Sequence, residues 1–261
     1  MNPKFDFNEH LSEQLERTYQ IPDMNLRRNE VLRLLDLRTG EAVLDVGLGP
    51  GFVSYLAAAA VGPSGRIEGI DTSDVMLELA RARCADKFWV TFQNADATAL
   101  PFEDASFDAV IVTQVLEYVE EIDTALSELH RVLKPGGRAL LLDIDWESIV
   151  WHTEDAGRMT RVLKTWDEHL HDPILPRTLP HRLQDAGMPV ERRSILPLYH
   201  TAHDANTYSY ALIQLIRDFC PGRNGLTQAE VEDWAAEQER LGDRGAYFFS
   251  LNQYFFLARK P

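Results

Sequence analysis

The chain has 261 residues, 45% of them hydrophobic and 26% charged, which is ordinary globular usage and excludes disordered, collagenous and low-complexity readings. Its net charge of −15 argues against DNA, RNA or an anionic membrane as partner, because those surfaces are bound with Lys and Arg. Two cysteines, Cys84 and Cys220, form no CxxC or Cys/His cluster, so neither a disulfide framework nor a metal site is expected.

The opening segment, MNPKFDFNEH, lacks the basic-then-apolar layout of a signal peptide, and the longest apolar run, Phe52 to Val61, is too short to cross a bilayer. A cytoplasmic protein is expected. Leu11, Leu15 and Tyr19 recur at helical spacing within Asn8 to Tyr19. Ile21-Pro22-Asp23 interrupts that pattern, which resumes at Asn25 and is expected to stop at Thr39-Gly40. From Ala42 to Ile144, short apolar runs (Ala42 to Val46, Arg66 to Ile70, Trp89 to Gln93, Asp108 to Val112, Arg138 to Ile144) alternate with helical patterns at Gly51 to Val61, Ser73 to Ala85 and Ile122 to Leu133. Strand and helix in alternation, joined by right-handed crossovers, specify a doubly wound, mostly parallel α/β sheet. Beyond Asp145 the regularity loosens: Trp146 to Pro180 reads as an excursion from the sheet. A short helix at Thr178 to Ala186, a strand at Val190 to Leu198, helices at Asn206 to Phe219 and Thr227 to Arg240, and a last strand within Tyr247 to Ala258 follow. Thr227 with Glu230 forms a capping box.

The segment Val43-Leu44-Asp45-Val46-Gly47-Leu48-Gly49-Pro50-Gly51 lies where a strand ends and a helix begins, the place where such a sheet binds ligands. Its spacing is GxGxG with an acid just before it, whereas a dinucleotide fingerprint is GxGxxG; an acid there suits a cationic ligand better than a pyrophosphate. Asp71, twenty residues past Gly51, ends the second run, where a carboxylate can accept ribose hydroxyls or, alternatively, simply precede a helix.

Together with Gly69-Ile70-Asp71-Thr72-Ser73, Asn94-Ala95-Asp96-Ala97, Ser106-Phe107-Asp108, Val115-Leu116-Glu117 and Arg131-Val132-Leu133-Lys134-Pro135-Gly136-Gly137, this segment resembles the class I S-adenosylmethionine-dependent methyltransferases, in particular the group of ubiquinone/menaquinone-biosynthesis and arsenite-type methyltransferase domains. The resemblance implies a seven-stranded, Rossmann-like sheet with N-terminal helices and a C-terminal helical lid insertion. Its parts would be an N-terminal helical lid over 1–40, a cofactor-binding core over 41–145, and the rest of the sheet with substrate-side insertions over 146–261. It implies S-adenosyl-L-methionine as cofactor, with Gly47, Gly49 and Gly51 under the methionine part and Asp71 on the ribose. Asp96 and Ala97 would read the adenine, Met76 would pack on it unless it is plain core, and Gln114 would touch the methionine. Tyr19 and Arg28 are candidates to close over the cofactor carboxylate, with a solvated helix face the alternative for Arg28. Tyr118 stands where the family often has histidine, so no role of that histidine carries over.

The acceptor side must come from residues beyond the cofactor motifs. Trp146, Trp151, Tyr199 and His200 are candidate substrate-binding residues, Trp166 is a further residue of the same region expected to bear on acceptor choice, and His152 is a candidate general base or a surface histidine. Tyr208, Tyr210, Phe248 and Phe249 are candidates for a pocket or for core. The expected function is methyl transfer to a small-molecule acceptor by a monomer or homodimer. A nicotinamide-dependent oxidoreductase and a non-catalytic cofactor-binding scaffold are the alternatives.

Overall fold

The computed structural model describes residues 16–261. Most of the expected helix from Asn8 to Tyr19 therefore lies outside the described residues. Helix α1 (Pro22–Leu35) is opened, not broken, by Pro22, which occupies the first helical turn where a missing N–H costs nothing. It ends at Asp36, whose φ of 49° provides the left-handed stop expected at Gly40.

The alternating region folds as β1 (Ala42–Val46), α2 (Phe52–Val61), β2 (Arg66–Asp71), α3 (Asp74–Arg83), β3 (Val90–Asn94), β4 (Phe107–Thr113), α4 (Ile122–Val132) and β5 (Leu133–Ile144). All pairings within β3-β2-β1-β4-β5 are parallel. Beyond Trp146 come the two-residue β6 (Val150–Trp151), α5 (Ala156–Trp166), α6 (Leu179–Asp185), β7 (Val190–His200), α7 (Tyr208–Phe219), α8 (Gln228–Asp243) and β8 (Phe249–Arg259). β8 lies antiparallel to β5 and carries β7 and β6 antiparallel to itself. The sheet is thus the seven long strands expected plus one short pair, with only β8 running against the others.

Alternation along the strands sorts the core into two faces. Leu44, Val46, Val110, Val112 and Leu141 pack under α4 and α6. Val43, Ala109, Ile111, Leu140 and Leu142 pack under α1 and α2. A third core lies off the sheet, where Met159 and Val162 of α5, Ile213 and Ile216 of α7 and Trp234 of α8 close on Trp151 and Phe249. The stretch Trp146 to Pro180 is therefore no loose excursion. Met159, Val162 and Trp166 form the buried stripe of α5, and Asp155 caps it by accepting from Arg158 N at 2.9 Å. The expected capping box of α8 is present, with Thr227 and Glu230 bonded to each other's backbone.

Candidate active site

Strand order reverses between β1 and β4, and a single cavity opens there, at the carboxyl ends of the parallel strands. One end is walled by the β1–α2 turn (Gly47, Gly49, Pro50), the β2 end (Ile70, Asp71, Thr72), Met76, and Ala95 with Ala97. The other is walled by Tyr118, Trp146, Trp166, His169, Tyr208 and Leu215. Thr113, Gln114 and Val115, at the end of β4, lie between them, and Tyr19 and Met24 close the side.

Gly47, Gly49 and Gly51 all have positive φ, which only glycine adopts cheaply. They differ in what a side chain would meet. A Cβ on Gly47 would fall 2.3 Å from Val115 Cγ2, in the cavity floor, whereas one on Gly51 would fall 2.7 Å from Ala80 Cβ of α3. Gly51 thus serves helix packing and lies outside the cavity lining. The turn's N–H groups are already committed: Gly47 and Leu48 donate to Ile70 O (2.8 and 3.1 Å), Gly51 donates to Leu48 O (3.1 Å), and Gly49 donates to Asp71 Oδ2 (2.9 Å). Position 50, a proline, has none to offer. A turn that spends its donors internally has little with which to hold a pyrophosphate, and the two acids beside it would repel one. Asp45, buried and hydrogen-bonded by Ser54 Oγ at 2.5 Å, is pushed up to about 7 by burial. Burial also raises Asp71, against the pull of the Ser73, Gly49 and Thr72 backbones.

Of the remaining cofactor-side candidates, Tyr19, Met76, Ala97 and Gln114 line the cavity. Asp96 does not: its Oδ1 accepts from Thr98 N (2.9 Å) and Thr98 Oγ1 (2.7 Å), while its neighbours Ala95 and Ala97 face in. Arg28 is likewise turned away. It donates to Tyr19 O and Asn25 Oδ1, both at 2.6 Å, and lies over the Phe52 ring. The residue that reaches Gln114 is Arg27, because it shares the inward face of α1 with Met24, three positions earlier.

On the acceptor side the structure brings Trp146, Trp166 and Tyr208 to the cavity and leaves Trp151, His152, Tyr199, His200, Tyr210, Phe248 and Phe249 out of its lining. Trp151 is core, edge-on to Trp234 and Phe249. Strand β6 turns Trp151 inward, so the next side chain, His152, is exposed, and only its N–H is engaged, by Phe248 O at 3.0 Å. Period-two alternation separates the other pair: Tyr199 is 63% exposed, whereas His200 is buried. His200 sits with Nε2 3.1 Å from Asp23 Oδ2 and Nδ1 3.0 Å from Ser209 Oγ, tying α1 to α7. Burial and the bonds to His200 and Tyr208 leave Asp23 below its ordinary range, on balance.

The rest of the aromatic end combines Trp166 and Tyr208 with Tyr118 and His169, for which the sequence reading gave no acceptor role. Trp166 and His169 arrive on α5 and the turn after it, an element whose 3.6-residue stripe was masked by the Trp, His and Asp content of the segment. His169 Nδ1 faces Trp166 O, so that nitrogen must carry the proton. Its ring lies 4.0 Å from the Trp166 ring and edge-on to Trp146. Beneath them Glu117, with no exposed surface, accepts from Trp146 Nε1 at 3.0 Å.

Residues 44–141 match the family described as a methyltransferase domain. The chain is 35% identical over 190 residues to an uncharacterized 37.1 kDa protein of transposon TN4556 of Streptomyces fradiae, covering 71% of this chain and 53% of that one. It is 36% identical over 146 residues to a demethylmenaquinone methyltransferase of Symbiobacterium thermophilum, covering 48% of this chain and 58% of the relative. The chain thus spans about half the length of the curated relatives it matches. Among solved structures, Haemonchus contortus phosphoethanolamine N-methyltransferase 2 in complex with S-adenosyl-L-methionine superposes with a TM-score of 0.64 at 20% identity, over 98% of this chain and 58% of that one. The [4+2]-cyclase SpnF superposes with a TM-score of 0.59 at 23% identity, over 91% and 81%. These structural likenesses show the fold. Residues 44–141 are thus a methyltransferase domain, carried in the fold of the class I S-adenosylmethionine-dependent methyltransferases, whose cofactor is S-adenosylmethionine.

Proposed function

We propose that the protein transfers a methyl group from S-adenosylmethionine to a small, uncharged, partly apolar molecule. The observation that carries this reading is the continuity of the cavity, which joins a glycine turn with an acidic rim to an aromatic chamber across Gln114. Residues of the cavity lining suit the cofactor and support this reading: Asp71 would accept from the ribose, Met76, Ala95 and Ala97 would pack on a flat base, and Gly47, Gln114 and Tyr19 would border the methionine portion. When bound, the cofactor supplies an electrophilic methyl carried on a sulfonium.

The chain's own contribution is then to position the acceptor and exclude water. Trp146, Trp166, Tyr118 and Tyr208 present ring faces and edges without a Lys or Arg among the lining residues, so the chamber selects against anionic acceptors. Acid groups near the turn favour a cation over a phosphate. On this reading residues 16–40, the described part of the N-terminal segment, and residues 146–261 enclose an acceptor over the 41–145 core, and the protein works in the cytoplasm without nucleic acid. No helix among the described residues is long and apolar enough to cross a membrane.

Incubation with methyl-labelled S-adenosylmethionine and a fractionated metabolite extract tests the proposal. Label is expected in an organic-soluble small molecule, with S-adenosylhomocysteine as co-product. Tight binding of S-adenosylhomocysteine without label transfer to any fraction would instead support the non-catalytic alternative.

A further inference from the structure

The two ends of the cavity are joined underneath by a buried polar chain. Gln114, at the end of β4, has φ of 55°, a left-handed backbone that a residue with a side chain adopts at a cost. Its N–H donates to Leu142 O at 2.7 Å, which holds that backbone in place. The side chain meets Arg27, Glu117 and Tyr208, and the chemistry of the first two fixes its orientation. Arg27 can only donate, so it must meet Gln114 Oε1; the amide nitrogen then faces Glu117 Oε1, at 3.4 Å. The Trp146 indole can only donate too, and it occupies Glu117 Oε2 at 3.0 Å. Both oxygens of a fully buried carboxyl therefore receive protons, one from the cofactor side of the cavity and one from the aromatic wall.

We propose that Glu117 is a positioning residue, the junction of a hydrogen-bond chain Arg27–Gln114–Glu117–Trp146 through which the lid helix α1 and the cofactor end set the placement of the acceptor wall. The proposal rests on the reading of the cavity as a methyl-transfer site. A carboxyl here is expensive, since its charge leaves water with no cation in direct contact, and a leucine would fill the space at lower cost. What the carboxyl adds is direction: only an ionised group can accept at both oxygens, so the chain is complete in one protonation state and frustrated in the other. Its own backbone is clamped in turn, with Glu117 O accepting from His171 N (2.8 Å) and Asp172 N (3.1 Å), in the loop that follows His169.

The groups facing Glu117 are Arg27 from α1, Asp143 from β5, Asp172 from the 170s loop, and the hydroxyls of Tyr19, Tyr118 and Tyr208. His169 stands on the far side of the Trp146 ring. Asp143 is buried, and burial beside Glu117 drives it well above the carboxylate range, against the pull of a bond from the Glu117 backbone. Burial likewise pushes Glu117 up to about 7, opposed by Trp146, Gln114 and Arg27. The chain should therefore be made above that pH and released below it.

The test uses the whole protein labelled with 5-fluorotryptophan, whose five residues give separate fluorine resonances, with Trp146 assigned through Trp146→Phe. In the ligand-free wild type the Trp146 resonance is expected to titrate with a midpoint near 7. The titration should vanish in Glu117→Gln. In Gln114→Leu it should persist with its midpoint shifted upward, because one donor to the carboxylate is gone. Saturation with S-adenosylhomocysteine should move the Trp146 resonance in the wild type and much less in Gln114→Leu at equal saturation. A Trp146 resonance that does not titrate, a midpoint indifferent to Gln114→Leu, or an equal ligand response in the two proteins would overturn the proposal. Failure of the wild type to bind S-adenosylhomocysteine, with the ligand-free titrations as described, would strike the proposed function instead.

Discussion

The two ends of the cavity are made by different means. The glycine-turn end comes from the carboxyl ends of three consecutive strands, β1, β2 and β3, so each wall is a short piece of chain at a strand terminus, and backbone geometry does most of the shaping. The aromatic end is assembled from a turn after β4, the segment after β5, the end of α5 and one face of α7, residues spread from Tyr118 to Leu215 and held by side-chain packing in a core of their own. A backbone-built wall tolerates little change at its glycines; a wall built from side chains is free to vary. One scaffold can thereby keep its cofactor while its acceptor changes.

The contrast is most sharply tested at Gly47. Gly47→Ala meets both a left-handed φ and the overlap with Val115, and should cost roughly 2–5 kcal/mol in urea denaturation. Gly136→Ala, with a similar φ but open space around its Cβ, should cost only about 1–2 kcal/mol. Equal costs would mean that the turn's shape depends on φ alone.

Asp45 offers a pH-dependent measure of the same end. Its folded-state pKa of about 7 means that the native protein keeps a proton which the unfolded chain loses near pH 4, so this group's contribution to stability falls as pH rises between those values. Asp45→Asn cannot ionise. The difference in Tm between variant and wild type should therefore shift in the variant's favour by several degrees from pH 5 to pH 8; a difference constant across that range would contradict burial of the ionisable group.

Asp71→Ala should weaken S-adenosylhomocysteine binding at least about tenfold in calorimetry, the loss of about 1.4 kcal/mol from charged hydrogen bonds. At the aromatic end the pattern should invert. Trp166→Phe is expected to raise the KM of an identified acceptor while changing S-adenosylhomocysteine affinity less than about threefold, under ~0.7 kcal/mol. The smallest effects belong to His152→Ala and Tyr199→Ala, which remove exposed side chains outside the cavity and should leave stability within about 0.5 kcal/mol and turnover unchanged. A loss of turnover in either would move the acceptor site away from the aromatic chamber.

The same contrast explains which residues could be read in advance. Gly47, Asp71, Ala97 and Gln114 sit at fixed offsets from strand ends, and the end of a buried strand shows in the sequence as a break in a run of β-branched and aliphatic residues. Arg27 and Arg28 show the limit of such reading, since both are buried and these neighbouring positions differ only in which partners each side chain meets. His152 and Tyr199 fail for a related reason: a one-residue shift along a strand reverses the direction of the side chain. His169 and Glu117 could not be assigned at all, because nothing local distinguishes a histidine or glutamate facing a cavity from one facing core or solvent.

Hydrophobic periodicity and turn chemistry along the chain were sufficient for the order of elements through β5, the parallel sheet and the glycine turn, because each depends on contacts between residues near in sequence or on the fixed handedness of crossovers. The pairing of β7 and β6 with β8, the third core and the aromatic chamber were decided only by tertiary structure. They rest on contacts between segments up to about a hundred residues apart, such as Trp146 against Trp166 and Phe249 against Trp151. So does the choice between Arg27 and Arg28. Long-range packing selects among faces and partners that local sequence leaves equivalent, and in this protein that selection determines where an acceptor can sit.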